Sequence, residues 1–159
     1  MTIAETLQPK LAKWSPAEPG RTNFSQKLEG TNWALALTAD RVDTLGCLIW
    51  EAMLIRSGGD DIALPELKKR ATQAADRATG LIEPLRVVEF DEVLGVAQIR
   101  SDSPTKRTSA LAYYDVQYGN RLIAIRRYEW SEELESRVQI AFALTHEAIA
   151  KLVDDLVRV

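Results

Sequence analysis

The sequence contains a single cysteine and a single histidine, and this scarcity excludes several kinds of functional site. Cys47 has no second cysteine with which to form an internal disulfide. A zinc site takes several Cys, His or carboxylate ligands at short, characteristic spacings, and no such set surrounds Cys47 or His146. His146 and Glu147 are adjacent, and adjacent residues of a helix point about 100° apart. We therefore predict no metal and no cofactor, a buried and unreactive Cys47, and a partly exposed helical His146.

Motifs of the common catalytic sites are also missing from the chain. There is no G-x-S-x-G nucleophile motif, and the pair Gly58-Gly59 lacks the lysine that ends a P-loop. Asp60 and Asp61 follow these glycines without the ligand pattern of an EF-hand, so we interpret them as a turn that leads into a helix. We predict that the protein is not an enzyme and has no catalytic residues.

Long hydrophobic runs and an excess of positive charge are absent as well. The longest strongly apolar run, residues 45–55, is too short to span a bilayer and contains Glu51. The first residues lack the apolar core of a signal peptide, so we expect a soluble, cytoplasmic protein that does not bind membranes. The formal net charge of −3 gives no general attraction for nucleic acid.

The chain does contain enough apolar material for one folded domain. Hydrophobic residues make up 46% and charged residues 27% of its 159 residues, an ordinary balance for a globular protein, and we predict a single domain over residues 1–159. Thr2 and Glu5 have the spacing of a helix capping box, and residues 15–31 are rich in proline and glycine. Residues 1–31 are therefore predicted to form a helix followed by an arm that docks on the rest of the domain.

The middle of the chain alternates between strand and helix patterns. Leu35 and Leu37 alternate with alanines, which favours a strand. Residues 44–56 fit either a helix or a strand that is apolar on both faces, and we favour the strand because it can pair with the preceding one as a hairpin. A helix follows from Pro65, with leucines and alanines at helical spacing. Residues 85–101 then predict one or two strands, and residues 102–109 a polar loop.

Residues 110–130 predict a β-hairpin around Gly119-Asn120, because a glycine at the first central position suits a type II′ turn. In that register Tyr113 faces Arg126. One face of the hairpin is apolar and predicts contact with the core, whereas the other is mixed and must meet solvent, a partner or the docked arm. Aromatic and arginine side chains dominate interface energies. The residues predicted to bind a partner are accordingly Tyr113, Arg126, Tyr128 and Trp130.

The last part of the chain predicts a long amphipathic helix. Ser131 stands where an N-cap is expected, and apolar residues recur in steps of three and four as far as Leu156. Such a helix would be about 40 Å long, whereas a typical strand is only ~17–20 Å long. Its apolar surface would then outrun the sheet, so we expect another element or a second copy of the chain to cover it. This mismatch is the reason for predicting a homodimer.

Together these elements predict an α+β fold, in which an antiparallel sheet of about five strands packs with a middle helix and a long C-terminal amphipathic helix. The order of elements, and the closing segment SEELESRVQIAFALTHEAIAKLVDDLV, resemble the type III secretion chaperone-like fold. That family has three strands before its middle helix and two after it, where we count two before and three or more after. The resemblance implies a dimeric, non-enzymatic protein that binds an extended segment of another protein.

The leading prediction is a non-enzymatic protein-binding module, adaptor or chaperone-like, whose partner is another protein or a second copy of itself. Three alternatives stay open. Tyr114, Arg127 and His146 could line a cavity between sheet and helices, which would suit a small-ligand-binding protein or an enzyme. The six basic residues from Arg100 to Arg127, together with nearby tyrosines, make a weaker case for single-stranded nucleic acid. The third alternative is a structural subunit of a larger assembly.

Overall fold

The computed structural model describes residues 1–107 and 110–158, and within them the chain forms three helices and one ten-stranded antiparallel sheet. The helices are α1 (Ile3–Ala12), α2 (Leu64–Arg77) and α3 (His146–Val157). The strands are β1 (Thr22–Lys27), β2 (Trp33–Val42), β3 (Gly46–Arg56), β4 (Leu85–Asp91), β5 (Val96–Ser101), β6 (Thr105–Arg107), β7 (Ala110–Gly119), β8 (Leu122–Ser131), β9 (Ser136–Ile140) and β10 (Phe142–Thr145). The prediction of about five strands and a long C-terminal helix is therefore wrong.

Seven strands lie side by side in the order β1-β2-β3-β8-β7-β5-β4, and three short strands complete the sheet. β6 pairs with β7. β3 and β8 pair with each other only where Ala52–Ile55 meets Leu122–Ile125. Beyond that stretch β9 pairs with β8 and β10 pairs with β3, so that β9 and β10 occupy the space between the two central strands.

The helices pack on one face of the sheet and share a single core. Leu7 of α1, Leu67 of α2 and Ile149 of α3 belong to one buried apolar cluster with alternate residues of the central strands. α3 contacts α1, α2, β3 and β10, and nine of its residues are buried. Its apolar surface is therefore covered by elements of the same subunit.

Residues 131–145, which were predicted to begin a long helix, form a turn and the strands β9 and β10. Their apolar residues recur at every second position: Val138, Ile140, Phe142 and Leu144. This is the spacing of a strand, and β-branched and aromatic residues favour strands, but the same residues also fit a helical stripe. α3 begins only at His146, where the Thr145 hydroxyl caps it by accepting the Ala148 N–H at 3.0 Å.

The overlong helix from which the homodimer was predicted is not present. α3 has 12 residues, or about 18 Å, which is the length of a typical strand. A helix of this length leaves no apolar excess for a second copy of the chain to cover. Among the described residues, no helix is long and apolar enough to cross a membrane.

The prediction for the N-terminal region is right for the helix and wrong for the arm. The Thr2 hydroxyl accepts the Glu5 N–H at 3.1 Å, and the Glu5 carboxylate accepts the Thr2 N–H at 2.8 Å. Residues 22–27 of the predicted arm are strand β1 at an edge of the sheet. Three strands therefore precede α2, instead of the two that the sequence predicted.

Most of the strands predicted in the middle of the chain are confirmed. Residues 44–56 contain β3, as favoured, and residues 85–101 contain the hairpin of β4 and β5. The predicted polar loop 102–109 includes the short strand β6, and its last two residues, Thr108 and Ser109, lie outside the described residues.

The predicted hairpin of β7 and β8 is present, but its turn lies one residue later than expected. The observed pairs are Leu111 with Trp130, Tyr113 with Tyr128, Asp115 with Arg126, and Gly119 is followed by the turn residues Asn120 and Arg121. A neighbouring loop holds this turn, because the Asn120 side-chain oxygen accepts the Ile62 N–H at 3.1 Å and the Arg121 guanidinium donates to the Asp61 carboxylate at 2.8 Å. The register differs by two residues, so every side chain keeps its predicted face.

Candidate interaction surface

The face of the sheet that is turned away from the three helices is called here the open face. Its side chains alternate along each strand with the core residues. The central part comprises Glu51, Arg100, Tyr113, Asp115, Arg126, Tyr128, Trp130 and Arg137, which the strand pairing places on one side of the sheet. All four residues predicted to bind a partner lie on this face.

Two tyrosines form the centre of the open face, and each is covered by an arginine. The rings of Tyr113 and Tyr128 lie opposite each other with their centroids 6.1 Å apart. The Arg137 guanidinium lies 4.0 Å from the Tyr128 ring centroid, and the Arg100 guanidinium lies 5.6 Å from that of Tyr113. Both distances are within the range of a cation–π interaction. Each tyrosine ring therefore already contacts a guanidinium group of the same chain.

Asp115 lies beneath these arginines and is nearly inaccessible to solvent, at 4% exposure. The Gln98 side chain donates to its carboxylate at 3.2 Å. Arg137 approaches the same carboxylate at 3.4 Å and Arg100 at 3.8 Å, so two guanidinium groups share one buried negative charge. A hydrogen bond from Arg137 to the Tyr113 hydroxyl raises the pKa of that guanidinium further above its usual value. This cluster carries an excess of positive charge.

Arg126 was predicted to be free for a partner, but the structure gives it an ion pair within the sheet. Its guanidinium donates to the Glu51 carboxylate at 2.6 Å, and both side chains are about three-quarters buried, at 25% and 22% exposure. The two residues lie on the neighbouring strands β8 and β3. Arg126 therefore helps to hold the centre of the sheet together and contributes less free charge to the open face than Arg100 does.

A groove opens beside Tyr113 and Trp130, at the end of β7 that pairs with β6, and we call it the Trp130 groove. It has a volume of about 260 Å³ and is lined by Arg100, Ser101, Pro104, Leu111, Tyr113 and Trp130. The indole of Trp130 is 38% exposed, although it is one of the largest apolar side chains of the protein. Lys106 of β6 pairs with Leu111 of β7 and so lies on the same face. The groove thus combines apolar walls with a basic rim.

Sequence reasoning found the tyrosines and the tryptophan of the open face but missed the residues that surround them. Arg137 was predicted to lie on the long C-terminal helix, and its contact with Tyr128 was therefore not predicted. Arg100 meets Asp115 only because β5 pairs with β7, which no local pattern reveals. The signal that could have located Arg137 was the alternation of apolar residues in β9 and β10.

The residues proposed for a cavity do not come together as a group. Tyr114 and Arg127 are neighbours, with the guanidinium 4.2 Å from the ring centroid, and Arg127 donates to the Glu83 carboxylate at 2.7 Å. His146 lies elsewhere, at the turn between β2 and β3, where its backbone N–H donates to the Leu45 carbonyl at 2.9 Å. Its side chain is 4% exposed, so the prediction of a partly exposed histidine is wrong.

The prediction of a buried cysteine agrees with the structure. Cys47 is 5% exposed and lies on β3, next to β10. Burial raises the pKa of its thiol to about 11, with a smaller contribution from the negative charge of Asp43. The reactive thiolate is therefore scarce at neutral pH.

We expect the double replacement of Tyr113 and Tyr128 by serine to leave the protein folded. Both tyrosines are only half-buried, and the lost ring pair and cation–π contacts are worth about 0.5–1.5 and about 0.5–1 kcal/mol respectively. Urea denaturation followed by circular dichroism measures the loss, which should be a few kcal/mol at most. Complete unfolding of the variant in buffer would show instead that this face is core.

Comparisons of the chain with known protein families, with curated proteins and with solved structures found no match.

Proposed function

We propose that this protein is a non-enzymatic protein-binding module that recognises a segment of another protein on the open face of its sheet. The observation that carries the proposal is the exposed Trp130 beside the arginine-covered tyrosines, next to a groove with apolar walls. Tryptophan, tyrosine and arginine are the residues that most often dominate the energy of protein interfaces.

The geometry of the open face favours a protein partner over single-stranded nucleic acid. Nucleic-acid-binding sheets offer several free aromatic faces on which successive bases stack, whereas Tyr113 and Tyr128 each already contact a guanidinium group, which leaves fewer free faces beside Trp130. Two of the face's carboxylates, Glu51 and Asp115, also neutralise part of its positive charge. The Trp130 groove is smaller than the ~300–1,000 Å³ of typical small-molecule sites, which suits a single side chain of a partner.

The chaperone-like character of the module is part of the same proposal. The order helix, three strands and helix in the first part of the chain agrees with the type III secretion chaperone-like fold, whereas seven strands follow the middle helix where that family has two. The resemblance implies that the bound segment is extended. The homodimer that it also implies stays a prediction, and sedimentation velocity measures it against the monomer mass of 17.8 kDa.

The test selects phage-displayed random peptides on the wild-type protein and measures their affinity for two variants. Trp130→Ala removes the exposed indole of the open face, and Leu94→Ala removes an exposed apolar side chain, 74% exposed, from the turn between β4 and β5. We expect selected peptides to bind Trp130→Ala at least about tenfold more weakly and Leu94→Ala as tightly as the wild type. Peptides that bind both variants equally well would place the interaction away from the open face and would contradict the proposal.

A further inference from the structure

We propose that the Trp130 groove recognises an acidic peptide segment, in which one large apolar side chain fills the groove and a flanking carboxylate pairs with Arg100. This inference rests on the proposed function and deepens it by giving the chemistry of the partner. It follows from three features of the groove: its walls, its unbalanced charge and its size.

The walls of the groove are apolar and accessible. Leu111, Pro104 and the Trp130 indole line an open groove of about 260 Å³, and the Tyr113 ring lies beside them. A side chain that enters this space removes apolar surface of its own and of the exposed indole from water, and this burial favours binding. A large apolar residue of the partner gains most from this burial.

Arg100 is the only charged residue among those that line the groove. Lys106 lies opposite Leu111 on β6, and Arg137 lies opposite Trp130 on β9. The Asp115 carboxylate is buried and already shared by two arginines, and the exposed Glu132, Glu133 and Glu135 lie in the turn after β8, outside the lining. A carboxylate of the partner that reaches the groove therefore meets the Arg100 guanidinium, whereas a basic side chain there is repelled.

Arg100 is the cation best placed to receive this carboxylate. Its Nε is buried and has no hydrogen-bond partner among the residues that the structure describes, since it lies 3.8 Å from Asp115, which is too long for a hydrogen bond. The partner does not reach this buried Nε, and its carboxylate pairs instead with the accessible part of the guanidinium, whose charge Asp115 neutralises only in part. The guanidinium also lies next to Tyr113 and is only 38% exposed, so a carboxylate bound there is partly shielded from water.

The chain itself contains segments with this composition, and one of them lies beside Trp130 in the sequence. The turn between β8 and β9 carries Glu132, Glu133 and Glu135 around Leu134, which is 69% exposed. A second copy of the protein could offer this turn to the groove. The experiment therefore includes a variant that separates a second copy from a different partner.

The experiment measures fluorescence anisotropy with short labelled peptides of designed sequence. The first peptide has a central tryptophan flanked by glutamates, the second replaces the glutamates by glutamines, and the third replaces the tryptophan by alanine. We expect the first to bind at least about tenfold more tightly than either of the others, and we expect its affinity to fall as salt is added, because salt screens the charge interaction.

Two matched variants locate the carboxylate. Arg100→Gln should remove the preference for the acidic peptide over the glutamine peptide, and Lys10→Gln should leave that preference intact. Lys10 lies on α1, on the opposite side of the sheet from the groove, and pairs with Glu29, so it is a control for the loss of one positive charge. Thermal denaturation of both variants confirms that they are folded.

The outcomes separate this inference from the proposed function. The acidic recognition is wrong if the acidic and glutamine peptides bind equally well, or if Arg100→Gln still prefers the acidic peptide. In that case, peptides from the random library whose binding depends on Trp130 would still support an interaction surface on the open face. If every peptide binds Trp130→Ala as tightly as the wild type, both the acidic recognition and the proposed function are wrong. If the protein sediments as a dimer and Leu134→Ala converts it to a monomer, the occupant is a second copy and the proposal of a separate acidic partner is wrong.

Discussion

Replacement of Gly46 by alanine should destabilise the protein by at least about 4 kcal/mol, or prevent folding altogether. A Cβ atom at this position would clash with the backbone carbonyl oxygen of Leu144 and lie 2.8 Å from the Cα of Thr145. Backbone atoms of a paired strand cannot move aside without breaking the pairing of β10 with β3. Chemical denaturation of the variant measures the loss of free energy of unfolding.

The same experiment has a matched control in Gly80. A Cβ atom there meets nothing within 4 Å, and its φ is not positive. Gly80→Ala should therefore be neutral, or should stabilise the protein by about 0.4–1 kcal/mol because alanine restricts the unfolded chain. A small effect of Gly46→Ala, similar to that of Gly80→Ala, would contradict the pairing of residues 142–145 with β3 and would favour the helix that the sequence predicted there.

Removal of the Glu83 carboxylate should cost about 3–5 kcal/mol, because it leaves a buried arginine without its counter-ion. The side chains of Glu83 and Arg127 are both only 12% exposed, and their charged groups are 2.7 Å apart. The Thr105 hydroxyl also donates to the Glu83 carboxylate at 2.8 Å. Glu83→Ala measured by urea denaturation tests this value.

An exposed ion pair gives the comparison for Glu83. Glu92 pairs with Lys68 at 2.8 Å, but these side chains are 69% and 46% exposed, and exposed pairs contribute little to stability. We therefore expect Glu92→Ala to be nearly silent. Equal losses for the two variants would show that the Glu83–Arg127 pair is as exposed to water as the surface pair.

The Glu83 pair also predicts how stability depends on pH. Burial alone would raise the pKa of the Glu83 carboxyl, but hydrogen bonds from Arg127 and Thr105 outweigh burial and lower the pKa below the ordinary value of 4.5. A carboxyl whose pKa is lowered by folding stabilises the protein above its unfolded pKa and loses that contribution as the pH falls through the folded value. Wild-type stability should therefore drop on acidification below about pH 4.5 more steeply than that of Glu83→Gln.

Local patterns predicted those elements whose residues carry only one periodicity. The capping box of α1, the leucine–alanine stripe of α2 and the alternation in β2 each fit a single type of structure, and each element is present. The segment from Ser131 to Leu156 fits two periods, and the helical one was chosen for its whole length. Only its last part, from His146, is helical. The earlier residues form strands because they pair with other strands: β10 pairs with β3, more than 80 positions away, and β9 pairs with β8 across a tight turn.

The open face could be predicted in outline but not in its contacts. The alternation of β7 and β8 assigned each side chain to its face correctly, even though the turn was misplaced, because the error in register was two residues. The pairing of Arg126 with Glu51 and the approach of Arg100 to Asp115 depend on which strands are neighbours in the sheet. Which strands become neighbours depends on the packing of the whole domain around α3, and a local sequence pattern carries no information about it.

The measurement that tests the central claim most directly is a map of backbone amide chemical shifts during titration with a peptide selected on the wild-type protein. The account predicts that the changes concentrate in β5, β7 and β8 around Arg100, Leu111 and Trp130, with little change in α1 and α2. Changes that concentrate instead on the helices, or along the edge strand β1, would show that the open face is not where this protein meets its partner.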